Sequence, residues 1–332
     1  MTAGLESLAP VLAEIRRHAV ASAPPEWPSL AAVIDSVLAD PLPPHMALPL
    51  MATHAAGASL DRGVPFAVAW ALITAAVRAI DDCCDDDDPR ALHHAVGFGR
   101  AINYASALLQ LSTLVLHAIP AELGRDDLVA EYAAASLQLA VGQDRDLVGG
   151  VADRDHYMRI VQDKTCAGYV FAAFGGARIA GAPPAVIEAC RKAGYHIGMV
   201  LQLLDDLESA RMERGDLAQG KRTFPVWQGL ARTDHIASHE LRALMFDAQP
   251  ARHAARIRAL LDELDAPRAV LAEAERERRL ALAALARCPG GNSLLAAYFD
   301  AIFADTAELL VPRAAARRGG VPFLQLGAPR RP

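Results

Sequence analysis

Cysteine is scarce in this sequence and irregularly placed. The 332-residue chain contains 5 cysteines, and none of them has a partner at Cys-x-x-Cys spacing. An odd number without paired spacing argues against a disulfide framework and against a zinc site. The chemistry of the protein therefore has to be sought in other side chains.

Basic charge is also thinly spread. The formal net charge is -6 and no basic stripe stands out, so nucleic acid is not an expected partner. The acidic excess is concentrated in a few clusters, which points to cation binding. Hydrophobic residues make up 53% of the chain and charged residues 22%, a balance that provides a large core and does not indicate disorder.

Targeting and membrane-spanning patterns are missing as well. Residues 1–17 do not show the basic region followed by an apolar region of a signal peptide. The longest strongly apolar stretch, residues 65–80, contains Arg78 and is shorter than the roughly 20 residues that span a bilayer. We therefore expect a soluble, cytoplasmic protein with no stable membrane insertion.

Alternation of polar and apolar residues is rare, and alanine and leucine dominate, so the sequence predicts helix nearly throughout. Glycine and proline cluster between long apolar runs, at 22–28, 40–44, 120–125, 149–155, 181–184, 215–225 and 288–292. We expect one all-α domain over residues 1–332, a helical bundle with a site between facing helices. The tail, residues 313–332, is expected to be loosely held.

The first acidic cluster places aspartates at 81, 82 and 85–88, directly after an apolar segment. One interpretation is a solvated charge run that ends a helix. However, negative charge at a helix C-terminus opposes the helix dipole, and neighbouring carboxylates repel one another. Bound divalent cations would relieve both effects. On a helix Asp81 and Asp85 lie one turn apart, with Asp82 beside them, which suits magnesium shared between carboxylates and phosphate oxygens.

The second acidic cluster, Asp205 and Asp206, ends another apolar run. Asp205, Ser209 and Glu213 stand at i, i+4 and i+8, so a continuous helix would place them on one stripe that offers three ligands to one magnesium ion. The alternative is an amphipathic helix face with chance spacing. Three basic side chains nearby are suited to phosphate contact: Arg90, Lys164 and Lys221.

At these residues the sequence resembles the trans-isoprenyl diphosphate synthases and the class I terpene synthases built on the same fold. The segments that carry the resemblance, in the family's order, are Asp81-Asp82-Cys83-Cys84-Asp85 followed by Arg90, Gly142-Gln143-Asp144-Arg145-Asp146, Asp163-Lys164-Thr165, residues 202–206, and Gly220-Lys221-Arg222-Thr223-Phe224-Pro225. The resemblance implies the isoprenoid synthase fold with a central cavity, a homodimer, and an allylic isoprenoid diphosphate as substrate.

The same resemblance implies three magnesium ions, which with the three basic residues would neutralise the departing diphosphate. The implied catalytic and metal-binding residues are Asp81, Asp82, Asp85 and Asp205, with Ser209 and Glu213 as further metal ligands. The implied cavity-lining residues are Trp70, Ile73, Thr74, Val77, Gln143, Asp146, Phe171 and Gln202. The small Ala76 leaves room for a chain of fifteen carbons or more, and twenty is favoured.

The sequence departs from the chain-elongating members at their isopentenyl diphosphate site. Residues 31–64 contain no Gly-Lys-x-Arg segment, and His45 and Arg62 are candidates for positive charge there. The second arginine after the first motif is Ala91, and the expected His or Gln seven residues before the motif is Thr74. The motif Asp-Asp-x-x-Ser-x-x-x-Glu is similar to the metal-binding triad of terpene cyclases. Together these features favour a terpene synthase that ionises and cyclises one allylic diphosphate.

Two alternatives stay open. A prenyltransferase that passes the prenyl group to a peptide side chain, an aromatic ring or a glycolipid would show the same losses, and isopentenyl diphosphate is a less favoured acceptor for such an enzyme. A non-catalytic partner subunit of a prenyl synthase is a second alternative, although such a subunit has no need of intact aspartates and lysines. A calcium-binding module is excluded because no segment has Asp-x-Asp-x-Asp-Gly spacing.

Overall fold

The structure is a computed structural model that describes residues 3–38, 42–86, 88–213 and 215–307, and every regular element in these ranges is a helix. The predicted all-α class is therefore confirmed. The tail for which we expected loose packing, residues 313–332, lies outside the described residues.

The first half of the chain forms eight α-helices: α1 (Ala3–Glu6), α2 (Ala9–Ala21), α3 (Pro28–Val37), α4 (Leu48–Ala55), α5 (Leu60–Asp85), α6 (Leu92–Val96), α7 (Phe98–Ala118) and α8 (Arg125–Val148), counted among the described residues. They are followed by α9 (Arg154–Val161), α10 (Ala167–Ile179), α11 (Pro184–Ser209), α12 (Asp216–Gln219), α13 (Phe224–Leu230), α14 (Ile236–Met245), α15 (Ala254–Glu263), α16 (Ala266–Leu285) and α17 (Ser293–Ala307). Short 3-10 turns lie at Pro44–Ala47, Ala121–Leu123 and Pro250–His253, and a π-helical turn lies at Gln162–Cys166.

The central helix, α5, packs against α2, α4, α7 and α10. Its residues Phe66 and Leu72 are completely buried. By length and composition α5 could cross a membrane, but 72% of its most apolar window is buried against the rest of the fold. Burial between helices therefore accounts for its apolar character.

Helix α10 approaches α5 closely through a glycine. The ring of Phe66 on α5 occupies the space where a Cβ on Gly175 of α10 would lie. Only glycine at this position lets α5 and α10 come so close. Helix α10 in turn packs along α11, which packs along α16. This layering sets α5 and α11, the two helices that end in aspartates, into one bundle.

Most of the glycine and proline clusters do separate helices. The gaps at 22–28, 120–125, 149–155, 181–184 and 288–292 coincide with helix ends. The segment 215–225 is different, because the four-residue helix α12 forms inside it before α13 begins at Phe224. This short helix has consequences for the site.

Candidate functional site: two acidic walls bridged by lysines

The first acidic wall is the last turn of α5. Asp81, Asp82 and Asp85 are all partly buried there, as one helical turn predicts for i, i+1 and i+4 positions. Nζ of Lys164 lies 3.1 Å from Asp81 Oδ1, and Nζ of Lys221 donates to Asp85 Oδ1 at 3.0 Å. The structure thus brings two predicted phosphate-contacting lysines onto the predicted metal-binding carboxylates.

Lysine is rare in this chain, which contains three lysines in total, and two of them lie at this site. Lys164 also donates to Asp146 Oδ2 at 2.7 Å. Burial alone would lower the pKa of Lys164, but the facing carboxylates of Asp81 and Asp146 outweigh it and raise that pKa. The pKa of Lys221 is likewise raised by Asp216 and Asp85 against the opposing effect of burial. Both side chains therefore carry full positive charge at neutral pH.

The second acidic wall is the end of α11. Asp206 is buried and accepts three hydrogen bonds, from the Tyr157 hydroxyl, from Gln202 Nε2 at 2.8 Å and from the backbone N–H of Phe224 at 3.0 Å. Burial raises the pKa of Asp206 to about 7, and the negative charge of Asp216 adds to this effect. Since these partners already hold Asp206, its neighbour Asp205 is the carboxylate left to face a cation.

The pKa of Asp205 is affected by carboxylates of both acidic walls. Burial raises the pKa of Asp205 well above its usual range, and the nearby carboxylates of Asp216, Asp206 and Asp81 raise it further. The influence of Asp81 on the pKa of Asp205 indicates that the ends of α5 and α11 face a common region. A cluster of buried carboxylates that repel one another is what a cation site requires before its ions bind.

The continuous helix that the predicted stripe of Asp205, Ser209 and Glu213 assumed does not reach its third member. Helix α11 ends at Ser209, and Glu213 lies in an exposed turn beyond it. The helix stops because Ser209 Oγ accepts the backbone N–H of Asp216 at 2.9 Å, which folds the chain back. Glu213 as a metal ligand therefore stays a prediction that this geometry does not favour.

Asp216, which the sequence analysis passed over, takes a place in the second wall. It begins α12, and burial raises its pKa to about 6 while Lys221 opposes the rise. The available signal was the segment Gly215-Asp216, four residues before Gly220-Lys221. Helix periodicity does not point to this carboxylate, because a helix extended through Glu213 would carry the chain past it, whereas α11 ends at Ser209.

The π-helical turn Gln162–Cys166 aims Lys164 into the site. A π-turn inserts one extra residue into a helix and is often found at functional sites. Thr165 Oγ1 donates to Gln202 Oε1 at 2.5 Å, which ties this turn to α11. Gly142 of α8 lies directly against the backbone of Lys164. The predicted segment around Gly142 and Gln143 therefore acts on Lys164 through packing as well as through polar contact.

Arg90, the third predicted phosphate-contacting residue, pairs with Asp88 and not with the carboxylates that Lys164 and Lys221 contact. Its Nε lies 3.1 Å from Asp88 Oδ1, and its side chain is about half exposed. Asp88 is also 3.8 Å from Nη2 of Arg78, whose Nε lies 3.8 Å from Asp82. Arg78 and Arg90 thus stand on either side of Asp88, next to the first wall. A contact between Arg90 and diphosphate stays a prediction.

The predicted cavity-lining residues lie at different depths. Trp70, Ile73 and Phe171 are buried, whereas Thr74 is intermediate and Val77 is 37% exposed. Gln143, Asp146 and Gln202 lie at the polar end, where Asp146 and Gln202 contact Lys164 and Thr165. The Nε1 atom of Trp70 and the Nε2 atom of Gln143 are buried without a hydrogen-bond partner among the described residues. Unpartnered polar atoms at this point are consistent with groups that meet a ligand.

The aromatic residues near these positions pack on one another. Phe171 stands edge-on to Phe66 at a ring separation of 5.3 Å, and Tyr169 stands edge-on to Trp70 at 5.9 Å. Rings arranged in this way are ordinary core contacts.

The positions expected to hold an acceptor diphosphate are poor in charge. His45 is buried, and desolvation together with the charge of Arg78 lowers its pKa to about 4, so it is neutral. Arg62 donates to Ile179 O at 2.7 Å near the start of α5, about 28 Å along the helix from Asp81. Thr74 donates to Trp70 O at 2.9 Å, and Ala91 is buried. Arg78 lies near enough to His45 for its positive charge to contribute to the lowered His45 pKa.

The donor set fits a hard divalent cation. Asp81, Asp85, Asp205 and Asp216 offer carboxylate oxygens without nitrogen or sulfur, which suits magnesium in combination with phosphate oxygens. The raised pKa values of Asp205 and Asp216 fit as well, because bound divalent charge would relieve the repulsion that raises them.

The described helices form an all-helical bundle in which the aspartates at the ends of α5 and α11 lie beside two partly buried lysines. Comparison with known proteins identifies the family to which this arrangement belongs. The polyprenyl synthetase family matches residues 46–264, more than half of the chain, and the chain belongs to that family.

Individual relatives give the degree of similarity. The (2E,6E)-farnesyl diphosphate synthases of Mycobacterium tuberculosis and Mycobacterium bovis are 30% identical over 203 residues. That match covers 54% of this chain and 54% of theirs, so the chain spans about half the length of the curated relatives it matches. The crystal structure of a polyprenyl synthetase from Streptomyces coelicolor A3(2) aligns with a TM-score of 0.72 at 26% identity, covering 93% of this chain and 99% of that one.

A further solved structure extends the likeness in fold. The geranylgeranyl pyrophosphate synthase from Corynebacterium glutamicum, complexed with calcium and isoprenyl diphosphate, aligns with a TM-score of 0.71 at 23% identity. The alignment covers 92% of this chain and 97% of that one. The predicted isoprenoid synthase fold is confirmed.

Proposed function

We propose that this protein is a magnesium-dependent prenyltransferase that ionises an allylic isoprenoid diphosphate and transfers its prenyl group. This differs from the terpene synthase that the sequence favoured, because membership of the polyprenyl synthetase family supports the transferase alternative better. The observation that carries the proposal is the pair of lysine contacts with the first acidic wall, Lys164 to Asp81 and Lys221 to Asp85, beside the carboxylate of Asp216 in the second wall.

The lysines explain how a diphosphate would be held. In the structure each Nζ balances carboxylates that would otherwise repel one another. Asp81 and Asp85 would hold magnesium, whose charge would balance these carboxylates and leave Lys164 and Lys221 available to phosphate oxygens. The structure of the similarly folded protein from Corynebacterium glutamicum contains calcium and isoprenyl diphosphate, which is the combination of divalent cation and prenyl diphosphate proposed here.

The reaction then follows from charge. The bond between the allylic carbon and the bridging oxygen breaks, leaving an allylic cation and a diphosphate anion. Lys164 and Lys221 stabilise negative charge as it develops on the departing diphosphate. Bound magnesium would supply Lewis acidity at the same oxygens. Buried apolar side chains of α5 and α10, such as Ile73 and Phe171, would keep water from the cation.

The acceptor is the less constrained half of the proposal. His45 is neutral and Arg62 is remote, so the residues that hold isopentenyl diphosphate in elongating relatives have no charged counterpart here. Arg78, whose charge helps to lower the pKa of His45 and which lies one helical turn beyond Thr74, is a cation available near that position. An acceptor with less negative charge fits this region without further cations. If isopentenyl diphosphate is the acceptor, Arg78 has to contact it.

The test is incubation with geranyl, farnesyl or geranylgeranyl diphosphate and magnesium, with and without isopentenyl diphosphate. A longer prenyl diphosphate that forms only with isopentenyl diphosphate, and is lost in Arg78→Gln, identifies chain elongation. Diphosphate release without it, together with a prenylated acceptor, identifies transfer elsewhere. The proposal fails if the protein releases no diphosphate from any of the three substrates, or if Asp81→Ala and Asp205→Ala both retain full activity.

Cyclisation is a second candidate, supported by the uncharged acceptor region. A cation that has no acceptor reacts within its own chain. The ligand pattern of Ser209 and Glu213 supports cyclisation less strongly than their spacing in the sequence does, because Glu213 lies outside α11. Release of a hydrocarbon or terpene alcohol from a single allylic diphosphate would establish this candidate.

A homodimer and a cytoplasmic location complete the proposal. Helices α7 and α8 pack on each other and expose several large apolar residues, among them Phe98, Leu114, Leu137 and Val141. Such side chains fit burial against a second copy, as the resemblance implied. We also propose that the described helices belong to a single domain, as their shared core supports.

A further inference from the structure

A second group of metal-ligating side chains lies outside the acidic walls, at the turn after α5. Nε2 of His93 and Nε2 of His94 lie 2.8 Å and 3.1 Å from the same oxygen, Asp86 Oδ1. The three ligand atoms lie within 4.8 Å of one another. We propose that Asp86, His93 and His94 bind a divalent first-row transition metal such as Zn²⁺ or Co²⁺, at a site separate from the magnesium site.

The backbone builds this site in advance. Asp86 caps α5 in the left-handed conformation, with φ 48°, while its N–H donates to Asp82 O at 3.1 Å. The chain then turns back through a 3.0 Å bond from Ala91 N to Asp88 O and a 3.1 Å bond from His94 N to Ala91 O. Aspartate adopts the left-handed conformation more readily than most residues other than glycine, so Asp86 suits this position. The backbone bonds of Ala91 and His94 hold the rest of the turn. It carries the two imidazoles back to the end of α5.

The orientation of the two rings does not follow from helix geometry alone. Successive residues of a helix point about 100° apart, so adjacent side chains do not normally meet. Here the rings of His93 and His94 lie 4.1 Å apart, and both present Nε2 to Asp86. The Nδ1 atom of His93 is buried, so Nε2 is the nitrogen that can reach an ion. The convergence is the arrangement that a shared cation would need.

The ligand types select the kind of metal. Imidazole nitrogen favours zinc, nickel, copper and cobalt, whereas magnesium and calcium prefer oxygen ligands alone. Two histidines and one carboxylate leave at least one coordination position for water or another ligand. Asp82, Asp85 and Asp88 lie along the same stretch of chain, and their negative charge raises the local concentration of cations. The expectation against zinc considered only cysteine spacing, so it did not address a histidine site.

The alternative is a purely structural role, in which both imidazoles donate hydrogen bonds to Asp86 and hold the turn. The two interpretations differ in one measurable respect, the binding of a transition metal. Cobalt is the suitable probe because histidine-bound Co²⁺ absorbs visible light. The full chain would be titrated with Co²⁺ in saturating Mg²⁺, which occupies the acidic walls.

We expect one equivalent of Co²⁺ to bind under these conditions and to be displaced by Zn²⁺. His93→Ala and His94→Ala should each weaken binding at least about tenfold. The matched control is His117→Ala, since His117 is an exposed histidine whose ring contacts only Thr113 O among the bonds seen, and it should bind as the parent does. Circular dichroism should show that all three variants keep their helix content.

Three outcomes would overturn the site: no Co²⁺ binding, binding that survives both His93→Ala and His94→Ala, or binding lost in Asp205→Asn but retained in the histidine variants. The third outcome would assign the metal to the acidic walls. The result is independent of the proposed function, because His94→Ala without added transition metal should retain magnesium-dependent diphosphate release.

Discussion

Gly142 on α8 lies against Lys164 so closely that a Cβ at position 142 would overlap the backbone nitrogen and Cα of Lys164. This contact holds the π-helical turn in place and with it the direction of the lysine side chain. A residue with no polar group thereby helps to position a charged group of the candidate site.

Gly142→Ala should therefore impair catalysis through the position of Lys164. The added methyl group has to displace the π-turn, which we expect to lower the free energy of unfolding by about 1–3 kcal/mol. A displacement of about 1 Å at Lys164 should reduce kcat/KM by about 100-fold. Gly99→Ala is the control, because a Cβ at Gly99 meets no atom within 4 Å. Unchanged kcat/KM in a folded Gly142→Ala protein would contradict the assigned role.

The three lysines permit a matched comparison. Lys164→Met and Lys221→Met should each raise the KM for the allylic diphosphate by about 10- to 100-fold, because a charge-assisted hydrogen bond to phosphate is lost. Lys192→Met is the control, since Lys192 is exposed on α11. Steady-state diphosphate release measures all three. Equal effects at Lys192 and Lys164 would show that general charge, and not the bridging geometry, is responsible.

Asp216 and Glu213 compete for one role. Asp216→Asn should weaken the apparent affinity for magnesium by about 10- to 100-fold, whereas Glu213→Gln should change it little. The physical reason is that Asp216 contributes to the buried carboxylate cluster while Glu213 points from an exposed turn. The magnesium dependence of turnover distinguishes the two. The reverse ranking would restore the cyclase-like ligand set.

The pKa values predict opposite effects of pH with and without metal. Burial raises the pKa of Asp206 to about 7 and of Asp216 to about 6, above the ordinary value of 3.8. In the metal-free protein the stability that these groups contribute is fully present below about pH 4 and is lost as pH rises through 6 and 7. Magnesium binds the ionised carboxylates, so its stabilising effect should grow over the same range.

Thermal unfolding at about pH 5 and about pH 8, each with and without magnesium, tests this directly. The increase in unfolding temperature caused by magnesium should be larger at the higher pH. The difference should shrink in Asp216→Asn, which lacks one of the titrating groups. A magnesium effect that is the same at both pH values would contradict the carboxylate assignment.

Composition and spacing determined much about this protein. The scarcity of alternating residues gave the all-α class, because helix needs only local hydrogen bonds and a suitable apolar period. The aspartates of both clusters, together with Lys164 and Lys221, were recognised because charges grouped at the end of an apolar run stand out along the chain. The ordered motifs gave the family for the same reason: they are contiguous in sequence.

Only the tertiary structure decided which groups meet. The end of α11 at Ser209 depends on a hydrogen bond from Asp216, seven residues away, so helix periodicity could not exclude Glu213 or supply Asp216. The neutrality of His45 follows from its burial, which is a property of the surrounding helices. The contact of Gly142 with Lys164 joins two helices through a close backbone approach. Long-range burial and backbone contact, which a linear pattern does not encode, therefore set the final charges and directions within the site.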